Sequence, residues 1–171
     1  MARPAEIPTL ATERLLLRAP GPEDFEAYRD FFADSEASAF YGGPLTAAGA
    51  WRRLAADIGH WALRGFGLWS VTEAATGRTV GGCGIVWPEG WPHHELTWWI
   101  APAARRRGYA EEASRPVIGW ACGTLGWERV ETHMRDENLS ARRLVARLGG
   151  VEIARERFPD GIERSVYALE V

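Results

Sequence analysis

Short apolar blocks, separated by glycine, proline and charged clusters, run along the whole chain and change period as they go. TERLLLRAP, residues 12–20, reads as a strand. Gly21, Pro22, Glu23 and Asp24 then open a helix, since proline suits the first turn and acids suit the positive end of the helix dipole. Phe25, Tyr28, Phe31 and Phe32 follow at helical spacing. After a turn at residues 41–44, Thr46 caps a second helix with apolar positions Trp51, Leu54, Ile58 and Trp61. The period then shortens. GLWSVTEA and TVGGCGIVW flank an ATGR turn and predict a hairpin, whose three glycines imply close approach of other backbone.

HELTWWIAP is a further strand. RRRGYAEEA opens the next helix, which runs to about residue 125 with Pro116 inside it as a point of bending. ERVETHM, NLSARRLVARLGG, residues 151–158 and ERSVYALE read as strand, helix, strand and strand, the last two joined at Pro159, Asp160 and Gly161. The order β-α-α-β-β-β-α-β-α-β-β predicts an α/β (α+β) layer structure. We expect one domain over residues 8–171, after a loose lead-in at residues 1–7.

Composition narrows the classes. Of 171 residues, 46% are hydrophobic and 25% charged, a soluble globular balance. The net charge of -3 argues against a general nucleic-acid partner. Cys83 and Cys122 make no CxxC pair, so no zinc or redox motif is expected. There is no leader pattern and no apolar run long enough for a bilayer, so the expectation is a cytoplasmic chain with no membrane partner. Nine tryptophans imply an aromatic cleft or a subunit contact, and a homodimer is one expectation.

The chemistry concentrates at RRRGYAEEA, residues 105–113. It lies between a strand and a helix, where the first helical N–H groups lack partners and attract an anion. Gly108 lets the backbone approach a phosphate closely, and Ala110 keeps the next step small. No GK[ST] follows, so this is not a Walker loop, and no GxGxxG is present. Solvated arginines at a helix start are the bland alternative.

Arg105, Arg106, Arg107, Gly108, Tyr109 and Ala110 resemble the R/Q-x-x-G-x-G/A motif of the GNAT (general N-acetyltransferase) superfamily. ELTWWIAPAARRRGYAEEA is similar to the corresponding block of the branch containing ribosomal-protein N-terminal (alanine/serine) acetyltransferases. ATERLLLRAP, GFGLWSV with TVGGCGI, and DENLSARRLVARLGG resemble other parts of that branch. The resemblance covers about residues 8–171. It implies a mixed, mostly antiparallel sheet of six to seven strands, flanked by about four helices, with splayed central strands. It also implies acetyl-CoA as co-substrate, held by the loop and by the strand residues Trp98, Trp99 and Ile100. Asn138 is a further cofactor contact by resemblance, or a helix cap. Where relatives carry a serine three positions after that asparagine, this chain has Ala141; Ser140 is one step, about 100°, away on a helix.

Glu95 corresponds to a catalytic glutamate of several relatives, and a desolvated carboxylate suits a general base. Tyr41 and Trp51 fall in the segment that walls the acceptor site in relatives, with Phe40 beside them. Alternation along ERVETHM puts Glu131 and His133 on one face, as acceptor contacts or surface groups. His93, His94 and Glu95 point to alternate faces of a strand, so no metal site is expected. The resulting expectation is transfer of an acetyl group to a primary amine, on a small molecule or a protein N-terminus. A non-catalytic acyl-CoA-binding module is the alternative, and nucleic-acid binding through the arginines ranks third.

Overall fold

The elements form in the expected order in the computed structural model, which describes residues 6–170. They are β1 (Leu10–Ala11), β2 (Leu15–Arg18), α1 (Phe25–Ala33), α2 (Ala47–Arg64), β3 (Leu68–Glu73), β4 (Thr79–Val86), β5 (Glu95–Ile100), α3 (Tyr109–Thr124), β6 (Val130–Met134), α4 (Leu139–Arg147), β7 (Val151–Arg157) and β8 (Glu163–Leu169). The expected first strand is shorter than TERLLLRAP. Thr12 N–H donates to the Leu15 carbonyl at 2.9 Å and closes a turn, which lets Leu10–Ala11 fold back as the added strand β1. Of the expected lead-in, residues 1–5 lie outside the described residues; Ile7 packs against the core, and the Pro8 carbonyl accepts from Trp69 Nε1 at 2.7 Å.

The strands form two antiparallel sheets, β1-β2-β3-β4-β5 and β6-β8-β7. The splay of the central strands lies between β5 and β6. They are bridged there by a side chain, Thr132 Oγ1 donating to the Leu96 carbonyl at 2.8 Å. The glycines of β4 do what their pattern predicts: a Cβ on Gly81 would stand 2.1 Å from the Trp99 carbonyl, and one on Gly84 equally close to the Gly67 carbonyl.

Two cores form. Leu15, Leu17, Trp69 and Val71 of β2 and β3 pack with Ala113, Val117 and Ala121 of α3. Tyr28, Phe31 and Phe32 of α1 pack with Leu54 of α2 and with Trp99. The aromatic stripe of α1 is thus buried as its spacing predicts. The buried stripe of α2 is shifted by one position for part of its length, to Ala50, Leu54, Asp57 and Trp61. Trp51 and Ile58 face outward instead, because Asp57 is drawn in to accept from the Tyr28 hydroxyl at 2.9 Å. Pro116 does not interrupt α3, which continues from Tyr109 to Thr124. Among the described residues no helix is long and apolar enough to cross a membrane.

Candidate active site

Where β5 parts from β6, one edge of β5 is left free. Ala101 N–H donates to the Val80 carbonyl at 2.8 Å, so the odd-numbered positions turn their backbone groups to β4. Leu96, Trp98 and Ile100 therefore turn theirs to the gap. All three of those carbonyls already have partners: Leu96 accepts from Thr132 Oγ1, Trp98 from the Tyr41 hydroxyl at 2.5 Å, and Ile100 from Arg105 Nε at 3.1 Å. The N–H groups of Trp98 and Ile100 remain turned to the groove, as a polar edge that can pair with an amide-bearing chain.

The loop after β5 supplies the second polar surface. Arg106 (φ 61) and Gly108 (φ 79) both adopt left-handed backbone. That conformation is free for glycine but costs another residue about 1–2 kcal/mol. Among the described residues no acceptor meets the backbone N–H groups of Arg106 to Ala110. These donors stand at the positive end of α3, where an anion is favoured. Both acids of the opening stretch are occupied elsewhere. Glu112 accepts from Arg14 Nε at 2.7 Å and from Thr12 Oγ1 at 2.6 Å. Glu111 accepts from Arg115 at 2.6 Å and from Arg147 Nε at 3.0 Å. Their charges are neutralised before they can repel an anion.

A cavity of about 710 Å³ runs from the β5 edge over this loop to α4. Arg105, Arg106, Gly108, Tyr109 and Ala110 line it, as do Trp98, Ile100 and Asn138. Arg107 does not: its guanidinium donates to Glu73 Oε1 at 3.1 Å, beside the Tyr109 hydroxyl, which donates to the same oxygen at the same distance. Arg107 and the Tyr109 ring therefore anchor the loop to the β3–β4 hairpin. The far wall was missed by sequence reasoning: Ser140, Arg143, Leu144 and Arg147 of α4 line the cavity. Their i, i+3, i+4, i+7 spacing was a legible signal of one helix face. A long groove with an extended polar edge at one end, a pocket of free backbone donors in the middle and arginines beyond fits the pantetheine, pyrophosphate and phosphate of a coenzyme A thioester.

A second cavity, of about 340 Å³, lies on the other side of a shared wall formed by Phe40, Tyr41, Trp98 and Asn138. Glu95 lines it. Its side chain is 30% exposed, but into this concavity. Burial pushes its pKa up to about 7, against the partial pull of Arg53 and Arg164. His133 Nε2 is 3.5 Å from Glu95 Oε2, a contact at the limit of a hydrogen bond. Burial, with Arg164 and His93 nearby, pushes the His133 pKa down to about 3, so it is neutral and the pair is not a salt bridge at neutral pH. Its ring is stacked on Trp91 and tilted against Phe158.

Several expected residues are placed elsewhere. The Trp99 side chain turns from the groove and packs 4.9 Å from Tyr28 and 4.8 Å from Phe31, ring centre to ring centre, so only its neighbours on β5 face the cavity. Trp51 is half exposed, edge-on to Phe25, and lines neither cavity. Glu131 lies outside both, paired with Arg129 at 2.9 Å and with His93 Nδ1 at 2.7 Å. Of the expected acceptor contacts, Tyr41 and His133 reach the smaller cavity. Asn138 caps α4 through Ala141 N–H at 3.3 Å and lines both cavities as well. Ser140 Oγ donates to Asn138 Oδ1 at 3.2 Å and faces the larger cavity, whereas Ala141 faces the smaller one. His93 bridges Glu131 and Glu156 while His94 Nε2 accepts from Glu131 N–H, so the two imidazoles serve different partners. No cluster of metal-ligating side chains occurs among the described residues.

Comparisons with known proteins bear on the family and the fold. The family model described as Acetyltransferase (GNAT) domain matches residues 14–151. An acetyltransferase from Agrobacterium tumefaciens shares 32% identity and a TM-score of 0.88, over 97% of this chain and 96% of that one. A GNAT-family acetyltransferase from Bacillus anthracis shares the fold at 20% identity, with a TM-score of 0.80 over 95% and 98% of the two chains. So does a ribosomal-protein-S5-alanine acetyltransferase from Vibrio fischeri, at 11% identity and a TM-score of 0.68, over 95% and 96%.

Proposed function

The chain belongs to the GNAT acetyltransferase family, and from that premise we propose that it moves the acetyl group of acetyl-CoA directly to a primary amine, on a small molecule or a protein N-terminus. The observation that carries this reading is Glu95, a carboxyl raised to about 7, in a cavity that shares a wall with the cofactor groove. A base poised near neutrality takes a proton from an ammonium without being permanently protonated itself.

In this mechanism the β5 edge and the loop of residues 105–110 hold the cofactor. The amine enters through the smaller cavity and loses a proton to Glu95, directly or through water. Its nitrogen attacks the thioester carbonyl beside Trp98. The Trp98 N–H, turned to the groove, meets the developing oxyanion; such a donor is commonly worth about 3 kcal/mol. The C–S bond then breaks, and the thiolate leaves. Tyr41 carries the one hydroxyl that lines both cavities, and burial holds it protonated well above its ordinary pKa. Its proton already goes to the Trp98 carbonyl and so high a pKa makes it a poor acid, so Tyr41 positions rather than protonates. The thiolate, a fair leaving group, takes up the proton that the new amide nitrogen sheds, with no dedicated acid where Ala141 stands.

Thermal unfolding with acetyl-CoA, with ATP as control, tests the cofactor half. Ligand at about 100 times its dissociation constant should add about 2.7 kcal/mol, a rise of about 5–10 °C for a domain of this size. An amine panel read by release of free CoA tests the other half. A selective thermal shift with no CoA release on any amine would overturn the transferase mechanism and leave an acyl-CoA-binding module.

A further inference from the structure

Three arginines line the smaller cavity, Arg53, Arg135 and Arg164, and Glu95 is its one acidic residue among those described. They come from α2, the end of β6 and β8, so the cluster is assembled only by the fold. Their existing partners differ. Arg164 is held by Asp160 through two nitrogens, at 2.8 and 2.6 Å, and lies over the Trp91 and Phe158 rings. Arg53 has one long contact to an acid, Nε to Asp57 Oδ1 at 3.5 Å, which leaves its terminal nitrogens unused. Arg135 has no carboxylate partner among the described residues; it is half-buried, and its guanidinium stands 5.5 Å over the ring of Phe40, a residue of the shared wall. An aromatic face holds the planar group in place while its N–H fork stays open, the arrangement that suits a carboxylate.

We infer that the acceptor is a primary amine that carries an anionic group close to the amine, and that Arg135, assisted by Arg53, receives that group. The amine then lies at Glu95 and the anion at the arginines, with Tyr41, Trp91 and Trp98 around the carbon skeleton between them. The cavity, about 340 Å³, has room for one amino-acid-sized unit. A neutral amine would gain nothing from the open guanidinium. An acceptor with a second cation would meet three like charges. This inference rests on the smaller cavity being the acceptor site.

Matched acceptors that differ in one charge provide the test. Free amino acids are compared with their carboxamides, for example phenylalanine with phenylalaninamide, at saturating acetyl-CoA. The carboxamide's amine deprotonates more easily, so that bias runs against the inference. A second arm compares peptides with aspartate or asparagine after the N-terminal residue, and tells a free amino acid from a peptide as the source of the anion. The account predicts kcat/KM at least about tenfold higher for the anionic member of one arm, the effect of about one well-placed ion pair. Arg135→Gln should abolish that ratio, and Arg135→Lys should restore part of it, with the KM for acetyl-CoA unchanged in both. The unchanged KM also reports that the variants fold. Equal or better use of the neutral members would overturn the inference while leaving the transferase reading intact, as would a ratio that survives in Arg135→Gln. A raised KM for acetyl-CoA in that variant would overturn it too, assigning Arg135 to the cofactor. If no amine of either kind is acetylated, the transferase reading fails first and this inference with it.

Discussion

The larger cavity is edged by one stretch of chain, between Trp98 on β5 and Ala110 at the start of α3, that leaves backbone N–H groups without acceptors. The smaller cavity is lined by residues from α2, β5, β6, α4 and β8 and from the loops between them. The first is suited to a ligand common to a whole family, because free N–H groups are available whatever the side chains are. The second is suited to divergence, because each arginine or aromatic can change without disturbing a strand. On the proposed reading, what an acetyltransferase must hold is thereby separated from what it must discriminate, with Phe40, Tyr41, Trp98 and Asn138 as the boundary that the two cavities share.

That division can be broken from either side. The largest effect belongs to the smaller cavity. Glu95→Gln should lower kcat/KM for the amine by about 10²- to 10⁴-fold, the usual range for a general base, and leave the acetyl-CoA thermal shift unchanged. Gly108→Ala acts on the other side. No protein atom lies closer than 3.6 Å to the added Cβ, so the cost comes from the φ of 79 and from obstruction of an approaching phosphate. A rise of about tenfold in the KM for acetyl-CoA is expected, with little change in amine preference.

Arg143→Ala should weaken cofactor binding only a few-fold, and less in high salt, since the residue is exposed. Trp51→Ala is smallest of all: activity should stay within about twofold, because an exposed residue outside both cavities makes no ligand contact. A large loss in steady-state rate with normal folding would return Trp51 to the acceptor site.

Stability offers an independent view of Glu95. Its folded-state pKa, about 7, lies above the ordinary 4.5. The folded chain therefore binds a proton that the unfolded chain has lost, and stability falls as pH rises from about 4.5 to about 7. Glu95→Gln removes that penalty. The variant should gain up to about 3 kcal/mol relative to the parent between pH 5 and pH 8, measured by denaturant unfolding.

The two cavities were unequally legible in the sequence, for a physical reason. RRRGYAEEA announces its own geometry, since a strand, a glycine and a helix start suffice to expose backbone donors. Even so, alternation and local pairing redistributed its neighbours. Trp99 went to the α1 core, and Arg107 went to Glu73. Neither could be read without knowing which face of β5 is covered and where the hairpin lies. The outward turn of Trp51 depended on Asp57 being drawn inward by a tyrosine 29 positions away. The arginines of the smaller cavity gave no local signal at all, because Arg53, Arg135 and Arg164 meet only after three elements have packed. By contrast, the α4 face of Ser140, Arg143 and Arg147 was written in plain helical spacing and simply went unread.

The most direct test of the central claim is the pH dependence of kcat/KM for the wild type and Glu95→Gln, with an acceptor amine that titrates well outside the range. The account predicts a wild-type rate that climbs with pH through an apparent pKa of about 7 and a variant in which that limb is gone. The same limb persisting in the variant would contradict it, and the base would have to be sought elsewhere in the cavity.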